Sequence, residues 1–329
     1  MTHRKRQVGR RALALGILLG LALAQPLPEA LKKAAALPPV VTARLDFEGR
    51  RRDLERTLQD PLRTPLSELQ ARQALALAEA KYQRALAQAE SDLVAAYTQA
   101  LEAGIQARLA EKALEVSELA LKAAEVRVRG GGATPLDLLD AQNRVLEARK
   151  NLDAARRGQE SAQRALENLL GPWKPAPVAE LPPLPEKGVL EDLLRAHADL
   201  LQLRQSLELL RLQRGLLDES FAPRKDIEAL EDQIKAVETN LDNLERSLRV
   251  GLEARYAQLP SLLQGVKAAE EAYKAARERY AAEERRFQVG LTSRLALLQQ
   301  ELALLQAELA QAQARHAYLR AYYGLLASR

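Results

Sequence analysis

The stretch "RVRGGGATPLDLLDAQNRVLEARKNL", Arg127 to Leu152, sets three glycines inside a helical pattern and then resumes that pattern. Before it, from Leu86 to Val128, small and apolar residues recur at alternating spacings of three and four. That is the seam of a coiled coil, with side chains small enough for helices to approach closely. After the glycines, Thr134-Pro135-Leu136-Asp137 reads as a helix start: a threonine cap, proline at the first helical position and an acid three residues after the cap. The glycines therefore predict the tip of a helical hairpin, with left-handed backbone at a residue free of a Cβ. A phosphate-binding loop is excluded, because no strand precedes the glycines and no Gly-Lys-Ser/Thr follows them.

The same punctuation occurs again. Advancing the numbering by 159 carries Tyr97 to Tyr256, Arg127 to Arg286, Gly131 to Gly290, Thr134 to Ser293, and Leu139 to Leu298, with no gap on either side of the glycine. Heptad coincidence could align leucines but not the shared Arg-x-x-x-Gly-x-x-(Ser/Thr). The second copy continues into a stripe from Leu295 to Leu326 of period 3.5, which predicts left-handed supercoiling. The chain thus divides into residues 25–170, a first hairpin repeat, residues 171–188, a Pro-rich linker ("GPWKPAPVAELPPLPEKG"), and residues 189–329, a second hairpin repeat.

Residues 1–24 have the pattern of a secretory signal peptide: five Arg and Lys among residues 4–11, an apolar run from Ala12 to Leu23, and Ala22-Leu23-Ala24 ahead of Gln25. The run is too short to span a bilayer. These five cations are the whole excess of the 49 Lys and Arg over the 44 Asp and Glu, so the mature chain is neutral and loses its nucleic-acid signature. Cysteine is absent, which excludes disulfides and a lipid-modified cysteine anchor.

Helices are expected at about Pro28–Leu58, with a break at Leu37-Pro38-Pro39, then Pro65–Val128, Pro135–Leu170, Val189–Ser220, Pro223–Phe287 and Ser293–Ser328. Pro260 lies inside one of them and cannot donate to the Tyr256 carbonyl, so a bend is expected near Gln258 that Leu101 does not impose on the first copy. The fold class is all-α: two tandem long coiled-coil hairpins. No catalytic, cofactor or metal constellation assembles. His316 sits on the apolar stripe as a packed residue, and His197 has no cysteine or histidine nearby. An enzyme is not expected, and neither is a cofactor.

The doubled motif, at the tips of tandem hairpins behind a signal peptide, resembles the TolC family of outer-membrane efflux proteins. The first copy, "RVRGGGATPLDLLDAQNRVLEA", matches closely; the second, "RRFQVGLTSRLALLQQELALLQA", keeps Arg286, Gly290, Ser293 and the leucines but loses the acids. The resemblance implies export to the periplasm, association with the outer membrane, and a homotrimer whose hairpins close into a hollow α-barrel. It also implies a periplasmic adaptor and an inner-membrane pump meeting the barrel at its tips, in a tripartite efflux or type I secretion system. The tip residues carried over are Arg127, Gly131, Thr134, Arg286, Gly290 and Ser293. Asp137 and Asp140 stand where the family narrows its entrance, whereas Ala296 and Gln299 hold the equivalent places in the second copy. Helix capping explains Asp137 equally well.

One feature departs from the family. At the far ends of the hairpins, where the family inserts pairs of membrane strands, stand only "LQDPLRTPLSE" (Leu58–Glu68) and "LDESFAPRKDIE" (Leu217–Glu228). Neither holds two strands of ~9–11 residues. A β-barrel is therefore not expected, and either a separate protein supplies the outer-membrane pore or the α-barrel end docks at the membrane directly. The competing function is a coiled-coil spacer or scaffold of the envelope that transports nothing.

Overall fold

A computed structural model of the chain describes residues 24–217, 221 and 223–329. The expected signal peptide, apart from Ala24, lies outside the described residues, as does part of the second far end. The fold is all-α. It comprises α1 (Leu27–Lys32), a short 3-10 turn (Ala34–Ala36), α2 (Pro38–Gln59), α3 (Pro65–Arg129), α4 (Pro135–Leu170), α5 (Gly188–Ala196), α6 (Ala198–Leu216), α7 (Arg224–Gln288) and α8 (Arg294–Leu326). The described residues hold no strand, only an isolated bridge between Gln25 and Pro175.

Two helices set the length. At 1.5 Å per residue, α3 and α7, each of 65 residues, are rods of about 100 Å. Helix α3 is flanked in succession by α2 and α4, and α7 in succession by α6 and α8; α3 also packs against α8 and α6. The molecule is thus two rods side by side, each with one hairpin turn at either end. Isolated helices of this length bury too little to be stable alone, and the seams provide the missing contacts. No residue of the Leu86–Val128 seam is exposed, and Ala89, Leu93, Ala100, Ala103, Ala107 and Ala124 are buried. On α8, Leu298, His316 and Leu319 are buried on the expected stripe, and Leu297, Tyr318 and Leu325 are buried beside it. That second buried line exists because α8 is covered on one side by α7 and on another by α3.

The core is thickest at mid-rod. One cluster gathers Leu27, Ala30, Val40, Leu93, Tyr97, Leu166 and Trp173 from the N-terminal helices, α3, the end of α4 and the linker. A second joins Leu193, Leu200, Leu252, Leu259, Tyr318 and Leu325 from α5 to α8.

The proline-rich linker crosses both clusters, and the rods hold it through its carbonyls. The Tyr97 hydroxyl lies 2.6 Å from the Ala176 oxygen and 2.8 Å from that of Gln25, and accepts from the Ala176 N–H at 2.9 Å. Arg315 donates to the Val178 and Ala179 carbonyls, Tyr318 to Pro182 at 2.8 Å, and Tyr256 to Pro185 at 2.9 Å. Prolines remove N–H donors but leave carbonyls, so a segment rich in them is satisfied by donors reaching in from outside. Tyr97 and Tyr256, paired by the 159-residue shift, thus do matching work at the two ends of one strap.

The expected helix Val189–Ser220 is broken. His197 adopts extended backbone (φ −65°, ψ 119°), and its Nδ1 accepts from the Asp199 N–H, capping α6. The aspartate in the first turn and the histidine acceptor start a new helix where periodicity alone shows a continuous one. Helix α7, by contrast, continues through Pro260, so this proline does not mark a helix end.

Candidate functional site

The candidate site is the pair of hairpin tips, and both are built from the same hydrogen bonds. In the first, the Gly132 N–H returns to the Arg127 carbonyl at 2.8 Å and the Gly131 N–H to Val128 at 3.1 Å. In the second, Leu291 returns to Arg286 at 2.8 Å and Gly290 to Phe287 at 3.0 Å. These are the two crossed bonds of a Schellman ending, which needs a left-handed residue. Gly131 (φ 73°) and Gly290 (φ 76°) supply it, and among the described residues positive φ occurs otherwise only at Gly171, which ends α4.

The returning helices start as the caps require. Thr134 Oγ1 accepts from the Asp137 N–H at 3.3 Å, while an Asp137 carboxylate oxygen accepts from the Thr134 N–H and hydroxyl, both at 2.8 Å. Ser293 accepts from Ala296 at 3.1 Å without a reciprocal acid. The hydrogen bond from the Thr134 backbone, followed by that from its hydroxyl, holds the Asp137 carboxyl below the ordinary range. Asp137 is therefore engaged in its own helix start, whereas Asp140, one turn on, is exposed. The arginines of the motif contribute their carbonyls to the turns. The Arg127 side chain is exposed, and that of Arg286 lies 3.2 Å from Glu283.

Both tips lie at the same end of the molecule. Along the α3–α8 contact, Glu102 meets His316 and Arg320, Arg108 meets Glu308, Lys112 meets Glu301, and Glu115 meets Arg294. Moving along α3 toward Gly131 is thus moving back along α8 toward Gly290. Both tips also present apolar side chains to solvent: Val126, Leu136 and Leu139 at the first, Val289 and Leu291 at the second. Side chains of this kind, unburied within one chain, fit an end that makes contacts outside it.

Sequence reading missed the polar cluster that joins the two hairpins. His316 is buried, its Nδ1 3.0 Å from Glu102 Oε1, and Arg320 reaches the same oxygen at 2.8 Å and Thr98 Oγ1 at 3.1 Å. Burial pushes the Glu102 carboxyl up, but the hydrogen bonds from His316 and Arg320 outweigh it and hold it below the ordinary range. Glu102 on α3 and Arg320 on α8 are 218 residues apart, so no local spacing relates them. Among the described residues no group of acids and histidines is arranged to hold a metal ion.

The family described as outer membrane efflux protein matches the chain twice, over residues 65–172 and 216–328. Among solved structures, a membrane protein from Pseudomonas aeruginosa is similar at TM-score 0.65 and 16% identity, covering 92% of this chain and 89% of that one. The Campylobacter jejuni CmeC outer membrane channel gives TM-score 0.65 at 12% identity over 92% and 85%. The Vibrio cholerae outer membrane protein VceC gives 0.62 at 16% over 92% and 95%. No curated protein matches.

Proposed function

This chain belongs to the outer membrane efflux protein family, and from that premise we propose that it is a duct component of a tripartite efflux or type I secretion system. Three exported copies would close their hairpins into a tube across the periplasm, with the tips as the end that meets an adaptor and an inner-membrane pump. The observation that carries this reading is the pair of tips, closed by the same two backbone bonds, at one end of rods about 100 Å long. We read the chain as a duplication in which residues 25–170 and 189–329 are copies joined by the strap 171–188, and the two family matches support that division.

At the entrance, Asp140 is the stronger candidate for a carboxylate facing permeating ions, because Asp137 is committed to capping Thr134. Closely spaced carboxylates in a trimer would favour cations over anions. The far end is proposed to associate with the outer membrane, either directly or through a separate pore. The first far turn, Asp60 to Thr64, is closed by Arg63 N–H to the Asp60 carbonyl and contains no strand.

The test is the mass of the mature protein in mild detergent and in plain buffer. A trimer in either supports the duct. A monomer in both, together with unchanged sensitivity to toxic compounds in a deletion strain, would give the spacer reading first place.

A further inference from the structure

On the tip side of the strap, α3, α4, α7 and α8 together line a cavity of about 790 Å³. Leu101 and Ile105 of α3 and Ala312 of α8 give it an apolar wall, and Pro175, Pro177 and Val178 of the strap close its mid-rod end. Small-molecule sites have this character, with volumes of about 300–1,000 Å³, mostly apolar walls and a few placed polar groups.

The polar groups here are of two kinds. Those that carry charge are matched within the chain: Arg108 by Glu308, and Arg315 by Glu270 and two strap carbonyls, which leaves Lys174, exposed at the rim. A cavity balanced in this way does not select an ion. The uncharged groups are not matched. Among the described residues, the side chains of Gln159 on α4, Tyr273 on α7 and Gln311 on α8 line the cavity without a hydrogen-bond partner.

His316 adds an acceptor. The residue is only 3% exposed, and its Nδ1 lies 3.0 Å from Glu102 Oε1. A carboxylate accepts and does not donate, so Nδ1 carries the proton and Nε2 of the neutral ring presents a lone pair. The ring lines the cavity, and among the described residues Nε2 has no partner. An acceptor in so buried a residue is costly unless something donates to it. Gly104 belongs to the same wall, inside α3, where glycine weakens a helix relative to alanine. A Cβ there would meet nothing closer than Gln159 Nε2 at 3.8 Å, so packing does not call for glycine; its effect is to leave the cavity open.

We propose that this cavity binds an uncharged amphiphile of small-molecule size, its apolar body against Leu101, Ile105 and Ala312 and a hydroxyl or N–H donating to His316 Nε2. A partner helix is a poorer occupant, because a rod about 10–12 Å across would run into the strap. The site does not rest on the duct reading, since one chain supplies every wall.

The experiment is fluorescence titration of the mature protein with N-phenyl-1-naphthylamine, an uncharged aromatic amine with one N–H, and with its N-methyl derivative, which has none. The wild type is expected to bind one probe per chain, the N–H form about tenfold or more tighter than the N-methyl form. His316→Asn keeps an amide donor near the place of Nδ1 for Glu102 and puts nothing at Nε2, so it should erase that preference. Gly104→Leu fills the cavity, improves helix propensity and leaves the His316–Glu102 contact in place, so it should abolish binding of both probes with the helix signal in circular dichroism retained. Gly265→Leu adds the same side chain at an exposed position of α7 outside the cavity and should change neither affinity. Absence of saturable binding, equal affinity of the wild type for the two probes, a preference that survives in His316→Asn, binding retained in Gly104→Leu, or equal loss in Gly265→Leu overturns the site.

Discussion

Tyr97→Phe tests whether the strap is held by hydrogen bonds or merely lies on the rods. The residue is fully buried and its hydroxyl faces the Gln25 and Ala176 carbonyls, with one proton to give between them. Removing it strands a buried carbonyl, which costs about 1–3 kcal/mol. The Ala176 N–H keeps the Gln25 oxygen at 3.0 Å as a second acceptor, so the lower half of that range, about 1–2 kcal/mol, is expected. Burial, only partly opposed by the hydrogen bond with Ala176, raises the Tyr97 pKa from 10.0 to about 12. The unfolded chain therefore loses this proton near pH 10 while the folded chain keeps it to about pH 12, and stability falls as pH rises through that window. Two pKa units correspond to roughly 2–3 kcal/mol. Urea unfolding of the mature protein and of Tyr97→Phe at about pH 9 and about pH 11.5 should show the wild type losing roughly 2 kcal/mol more between the two conditions. Parallel losses would mean that the phenol is not isolated from solvent and that the strap is held by something else.

Other outcomes follow from the same contacts. Glu102→Gln should lower stability by about 2 kcal/mol in urea unfolding, since it leaves the partly buried Arg320 without its carboxylate. Because the folded Glu102 pKa is depressed, its contribution should be complete at neutral pH and disappear as pH falls through the acid range, a slope that the variant should lack. Gly131→Val with Gly290→Val forces β-branched residues into left-handed backbone at about 1–2 kcal/mol each; circular dichroism should keep its helix signal while cross-linking to an adaptor and efflux are lost. Unimpaired efflux would remove the tips from the mechanism. Pro260→Ala restores a donor for the Tyr256 carbonyl and should slow hydrogen exchange around Tyr256, whereas unchanged exchange would show that this carbonyl already has another partner. Asp140→Asn should alter cation leakage through the reconstituted protein without affecting adaptor contact, and Asp137→Asn should instead loosen the first tip to proteolysis.

What could be read from the residues alone was whatever local backbone chemistry controls. Glycine at a left-handed position, Thr or Ser as a cap and proline at the first helical turn act within a few residues, so both tips, the Pro65 and Pro135 helix starts and the seams are legible in one dimension. A shift of 159 residues pairs Gly131 with Gly290 and Tyr97 with Tyr256 in the sequence itself. Tertiary structure decided everything that depends on which helix lies beside which. The break at His197 depends on an imidazole finding the Asp199 N–H, a competition that helical periodicity does not register. The linker reads as a spacer because prolines carry no donors; only the folded rods bring Tyr97, Arg315, Tyr318 and Tyr256 to its carbonyls. Glu102 and Arg320 are 218 residues apart. Sequence spacing encodes neighbours along one helix, whereas a charge cluster shared between helices exists only after the register of α3 against α8 has been set by the side chains packed between them.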